Sequence, residues 1–156
     1  MIHCTPHSIF SAGFTLSGSI PDAVVDFSWF TESGTISFPE QSFEIKKDGM
    51  FSGRWLLGQN GRTVMVAEKT SAFRRAVEIK YQDNKFHLKA QSAFGRSMNL
   101  TGPGTMATIE PAHPFTRRST ISGTLPGPEV TAFAFWLTAL LWKRAANNNN
   151  NNFKKL

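Results

Sequence analysis

From residue 35 onward, apolar and polar residues alternate with a period of two, in short runs broken by turn residues. The runs at 35–38 and 42–46 are separated by Pro39-Glu40, and the second ends at Lys47-Asp48-Gly49. The runs at 54–57 and 62–68 flank Gly58-Gln59-Asn60-Gly61, where Asn60-Gly61 is a strong hairpin signal because both residues accept positive φ. The runs at 76–81 and 85–90 flank Gln82-Asp83-Asn84; the second places Phe86, Leu88 and Ala90 on one face and Lys85, His87 and Lys89 on the other. Runs at 96–100, 105–110 and 119–125 complete this part, with Thr101-Gly102-Pro103-Gly104 as a turn. Before residue 28 the pattern is fainter, and short strands are expected at 8–11 and 15–20. Short strands every 8–12 residues, with no helix alternating between them, predict a sandwich or barrel.

One stretch breaks the period. Residues 130–142, Val-Thr-Ala-Phe-Ala-Phe-Trp-Leu-Thr-Ala-Leu-Leu-Trp, form the only long apolar run. Pro126, Gly127 and Pro128 open a path into a helix, Glu129 suits its start, and Lys143 and Arg144 suit its end. Wound as a helix, the run has no polar face; Thr131 and Thr138 fall on one side. Such a helix is enclosed by protein or by lipid. Thirteen residues span roughly 20 Å, short of a hydrocarbon core of about 30 Å, which favours protein. Strands with one apolar face need a filling, and this helix needs a wall. The expectation is a mainly β fold: a closed antiparallel barrel of about twelve strands around a hydrophobic C-terminal helix at about 129–145. Residues 1–146 are read as one domain, and 147–156, with six consecutive Asn, as a disordered tail.

Composition agrees with a globular chain of 156 residues, 40% hydrophobic and 18% charged; 14 Phe and 4 Trp against one Tyr imply an aromatic interior. The single Cys4 excludes an intramolecular disulfide, and no secretory leader pattern opens the sequence, so the cytoplasm is the expected compartment, with peripheral membrane attachment as a variant. The net charge of +6 is uneven: −5 over residues 1–45, +8 over 46–118 and +3 over the remainder. The acidic part can fold against the basic part, or the basic part can face phosphate groups.

The order and spacing of Arg54-Trp-Leu-Leu57, Gly61-Arg-Thr-Val-Met-Val-Ala67, Ser71-Ala-Phe-Arg-Arg75, Ser92-Ala-Phe-Gly-Arg96, Asn99-Leu100, Ala107-Thr-Ile-Glu-Pro111, Phe115-Thr-Arg-Arg118, Phe133-Ala-Phe-Trp-Leu137 and Leu141-Trp-Lys-Arg-Ala145 resemble the tubby C-terminal-like superfamily, which includes the phospholipid scramblases and the LURP-one-related proteins. The resemblance covers about 42–146 and is closest to small bacterial-type members; Ala107 stands where that pattern has Gly. It implies a twelve-stranded barrel around a central C-terminal helix. Tubby proteins bind phosphoinositides; the Cys-rich segments and calcium sites of scramblases have no counterpart here.

Candidate chemistry is sparse. Lys69, Arg74, Arg75, Arg96, Arg117 and Arg118 are the candidate ligand-binding residues, for an anionic lipid headgroup or another phosphate-bearing ligand. The alternative is that these charges guard exposed strand edges. His3 and His7 flank Cys4 without a fourth ligand or a zinc spacing, so no metal site is expected. His87 and His113 lack a Ser, Cys or carboxylate at triad spacing, Gly102-Pro103-Gly104 is no phosphate loop, and neither a catalytic residue nor a cofactor is called for. No nucleic-acid module and no transmembrane span are expected. The reading is a non-enzymatic binding domain; the alternatives are a scramblase-like protein anchored by the C-terminal helix, and an enzyme whose site is assembled from distant residues.

Overall fold

The computed structural model describes residues 1–8 and 12–155, except for the side chain of Phe153. Twelve strands are followed by one helix: β1 (Ile2–Pro6), β2 (Phe14–Gly18), β3 (Ala23–Ser28), β4 (Ser33–Ser37), β5 (Ser42–Lys47), β6 (Arg54–Gln59), β7 (Arg62–Lys69), β8 (Ala76–Tyr81), β9 (Asn84–Ala90), β10 (Met98–Gly102), β11 (Thr105–Pro111), β12 (Ser119–Thr124) and α1 (Pro128–Phe153). Each strand pairs antiparallel with its sequence neighbours, and β1 closes the barrel on β12 with Ile2 opposite Ile121. The expected barrel is therefore the observed one. β1 and β3 had no expected counterpart: each is short, and His3, Thr5 and Asp26 face outward between buried Ile2, Cys4, Ala23 and Val25. The strand expected at 8–11 falls largely on 9–11, outside the described residues.

Alternation sets the inside. Trp55 and Leu57, Met65 and Ala67, Val77 and Ile79, Phe86 and Leu88, and Met98 and Leu100 all point to the axis and are buried. α1 runs along that axis, and every residue from 130 to 141 is buried. The two threonines that interrupt its apolar surface bond backward along the helix, Thr131 Oγ1 to the Gly127 carbonyl at 3.1 Å and Thr138 Oγ1 to the Ala134 carbonyl at 2.8 Å. Their hydroxyls are thereby satisfied without leaving the core. Trp29, Phe27 and Trp136 stack in a row, with centroids 4.4 and 5.3 Å apart. Trp136 also donates to the Asp26 carbonyl at 3.3 Å, across β4 at Gly34; a Cβ on Gly34 would lie 2.6 Å from its indole nitrogen. Glycine there lets the helix approach the wall.

One bound differs from expectation. α1 continues through the six Asn to Phe153 instead of ending near 145. Once the buried turns have nucleated a helix, each further residue adds a bond at low cost, so even moderate helix formers extend it. Lys143 and Arg144 consequently lie within the helix and leave its last turn without a base. They act laterally instead: Lys143 lies over the Trp29 ring at 5.7 Å, and Arg144 makes a forked pair with Glu32.

Candidate functional site

The two ends of the barrel are built differently. At the end where α1 enters, Asn60-Gly61, Gln82-Asp83 and Pro103-Gly104 make two-residue turns, as the strand registers show. Asn60 and Gly61 take φ of 52° and 77°, as the hairpin expectation requires. Gln41 ties this end to the helix by donating to Glu129 at 3.1 Å. The connections at the end where α1 leaves are residues 7–13, 29–32, 48–53, 70–75, 91–97 and 112–118, all but 29–32 longer than the strand connections at the entry end. All six candidate basic residues lie at this second rim, on the last three of these loops or, for Lys69, at the end of β7.

The rim does not gather the six into one pocket. Half-buried Arg75, on loop 70–75, donates to the carbonyls of Ser92, at 3.0 Å, and Gly95 on loop 91–97. Arg96, on loop 91–97, donates to the carbonyls of Pro114 and Thr116 on loop 112–118, both at 3.2 Å. Arg117, on loop 112–118, donates to the Ser8 carbonyl at 2.9 Å. Each arginine thus clasps the next loop around the rim. Arg96 also covers the Trp142 ring at 4.6 Å, while the indole of Trp142 donates to the Arg96 carbonyl at 2.7 Å, fixing the loop to the helix. Burial lowers the Arg96 pKa from its ordinary value.

Arg74 and Arg118 are exposed, and neither side chain makes a hydrogen bond or ion pair among the described residues. Arg74 shares a concavity with Arg75, Lys89, Gln91 and Ser92. Lys69 is half-buried beside Gly53, and burial together with the nearby Arg144 charge lowers its pKa. It therefore belongs to the Glu32 side of the rim, where Arg144 and Lys47 (3.1 Å) meet that carboxylate.

The clasps of Arg75 and Arg96 bond to carbonyls, which carry no charge to offset the guanidinium groups. Loops 70–75, 91–97 and 112–118 carry five Arg and neither Asp nor Glu. Loops 29–32 and 48–53 carry Glu32 and Asp48. One arc of the rim is thus strongly basic and the other mixed.

The same loops show what the sequence reading missed. Phe30, Phe51, Phe73, Phe94 and Phe115 are exposed, one per loop, with Met50 beside Phe51. They recur at intervals of 21 or 22 residues, and Phe10, 20 residues before Phe30, lies outside the described residues. That recurrence, out of step with the strand alternation, was the available signal.

Other candidate groups stay apart. Cys4 points into the core, where burial pushes its thiol up to about 12, while His3 faces outward on the same strand. His87 lies 3.9 Å from Glu78 on the outer wall, and His113 packs against Phe115. Among the described residues, no group of three or more His, Cys, Asp or Glu side chains is placed to hold a metal. Among the same residues, no helix is long and apolar enough to cross a membrane. Compared with protein-family models, curated proteins and solved structures, the chain matches none.

Proposed function

We propose that the chain is a non-enzymatic binding domain that holds phosphate-bearing anions at its basic rim, either lipid headgroups at a cytoplasmic membrane face or a free polyphosphate. One observation carries this reading: five arginines and no carboxylate on three consecutive loops, with the clasping guanidinium groups of Arg75 and Arg96 bonded to neutral carbonyls. The sequence resemblance to tubby-like proteins, whose implied barrel-and-helix architecture this chain shares, supports it as well. Arg74 and Arg118 contact the ligand, and Arg75, Arg96 and Arg117 add field while holding the loops in place.

The test uses vesicles of phosphatidylcholine alone, or with phosphatidylserine and a phosphatidylinositol phosphate, and separately inositol hexakisphosphate in solution. Binding to an anionic probe that weakens with added salt is expected. The double variant Arg74→Glu/Arg118→Glu, which leaves every clasp intact, should lower affinity at least about tenfold, since each base near an anionic surface contributes about 1 kcal/mol. Absence of binding to all anionic probes at low salt would overturn the reading.

A further inference from the structure

We infer that the partner at this rim is a bilayer, and that Phe73, Phe94 and Phe115 enter its acyl boundary while the neighbouring arginines hold headgroup phosphates. This rests on the anion-binding reading above and adds to it a membrane-inserting aromatic edge.

The three rings are 100, 100 and 94% exposed, although the fold buries Phe14, Phe43, Phe86, Phe133 and Phe135. The Arg75 clasp seats on the carbonyls of Ser92 and Gly95, which bracket Phe94. The Arg96 clasp seats on those of Pro114 and Thr116, which bracket Phe115. Ser71 Oγ accepts from the amides of Phe73 and Arg74 at 3.2 and 3.1 Å, turning the first loop tightly at its phenylalanine. Each ring is therefore held outward by bonds to its own loop.

Each ring is also followed within three residues by arginine: Phe73-Arg74-Arg75, Phe94-Gly95-Arg96 and Phe115-Thr116-Arg117-Arg118. The aromatics stand singly, divided by Ser, Gly, Thr and Arg, and form no continuous apolar patch of the kind a protein partner covers. A second copy would bring arginines against arginines. An anionic bilayer meets both demands, apolar below and phosphate above. Phe30 and Phe51 lie on the arc with Glu32 and Asp48, whereas α1 leaves beside loop 91–97, where Asn149 lines a concavity with Phe94 and Arg96.

The full-length chain is tested in three ways. First, Phe73→Ser/Phe94→Ser/Phe115→Ser should lower affinity for phosphatidylserine-containing vesicles at least about tenfold, leaving inositol hexakisphosphate binding and the melting temperature as in the parent. Phe30→Ser/Phe51→Ser should change vesicle affinity less than about threefold. Second, because Cys4 is buried, Ala93→Cys gives one accessible thiol; an environment-sensitive fluorophore there should shift to the blue on vesicles and be quenched by brominated acyl chains. Third, sedimentation velocity should show no association that depends on the three phenylalanines. If the triple Ser variant binds vesicles like the parent while Arg74→Glu/Arg118→Glu does not, the phenylalanines do not insert, and the anion reading stands without them. Phe-dependent self-association would assign the face to a second copy and end the proposal. If the parent binds neither vesicles nor the polyphosphate, the underlying function fails, and this inference fails with it.

Discussion

Glu32 holds a left-handed backbone conformation, φ 49°, which a residue with a Cβ adopts only when its surroundings over-determine it. What over-determines it is charge. Its carboxylate accepts from Nε and Nη2 of Arg144 at 3.0 and 2.6 Å and meets Lys47 Nζ at 3.1 Å. Burial alone would raise its pKa, but the bonds to Arg144 and Lys47 outweigh burial and hold it below the usual glutamate range. A carboxyl depressed in the folded state contributes stability that is complete above its unfolded pKa, about 4.3, and is lost as pH falls through its lower folded value. Glu32→Gln should therefore cost about 2–3 kcal/mol near neutrality, because two cations are left without a partner in a partly closed site. Urea titrations of parent and variant at neutral pH and near pH 3 check this: the gap should narrow in acid. An equal gap at both would mean the side chain acts through shape rather than charge. Folding of one part against the other was one of the readings that the uneven charge left open, and Glu32 with Lys47 and Arg144 is a long-range instance of it. The pairs Glu44–Lys46, Asp48–Arg54 and Glu78–Lys80, by contrast, are local.

At the scale of elements, walls and rim obey different rules. A rim loop has few apolar neighbours, so single bonds decide its order. Arg96 makes three contacts at once, to two carbonyls and one indole face. Arg96→Ala should cost about 1–3 kcal/mol, and its effect should concentrate on residues 112–118 and the helix near Trp142. Hydrogen exchange checks the location: faster exchange confined to those segments is expected, and a uniform change over the barrel would contradict the clasp. The difference between wall and rim also explains what could be read in advance. A strand with one face inside must alternate, so β5 to β9 were legible from residue types alone. β1 and β3 are five and six residues long and expose His, Thr, Val and Asp between their buried positions, which leaves little period to detect. The rim has no period. Its basic residues were visible, but which of them clasp carbonyls depends on loops far apart in sequence, as in the Arg117–Ser8 bond. The aromatic count pointed to the core because hydrophobicity carries no direction, and so the outward phenylalanines were missed.

For the molecule as a whole, the order of elements has a consequence. All twelve strands precede the segment that fills them. The buried face of the barrel has no opposite sheet to rest on; it rests on Phe133, Phe135, Trp136, Leu137, Leu140 and Leu141. Truncating one buried leucine or aromatic of this kind costs about 2–5 kcal/mol, against about 5–15 kcal/mol for the stability of an entire domain. Removing six such side chains exceeds any stability the strands retain, even with generous relaxation of the wall. Residues 147–152, 154 and 155 are exposed, and loss of the segment after Ala146 should matter little, within about 0.5 kcal/mol. A chain cut after Ala146 should therefore melt in the same cooperative transition as the whole, with the near-ultraviolet circular dichroism of its packed tryptophans intact. A chain cut after Pro126 should keep strand-forming residues yet show neither the transition nor the tryptophan signal, and should bind hydrophobic dyes as a loosely packed collapsed state does. A cooperative melt in the shorter chain would show that the sheet packs against itself, and that the helix is a passenger in a barrel able to stand without it.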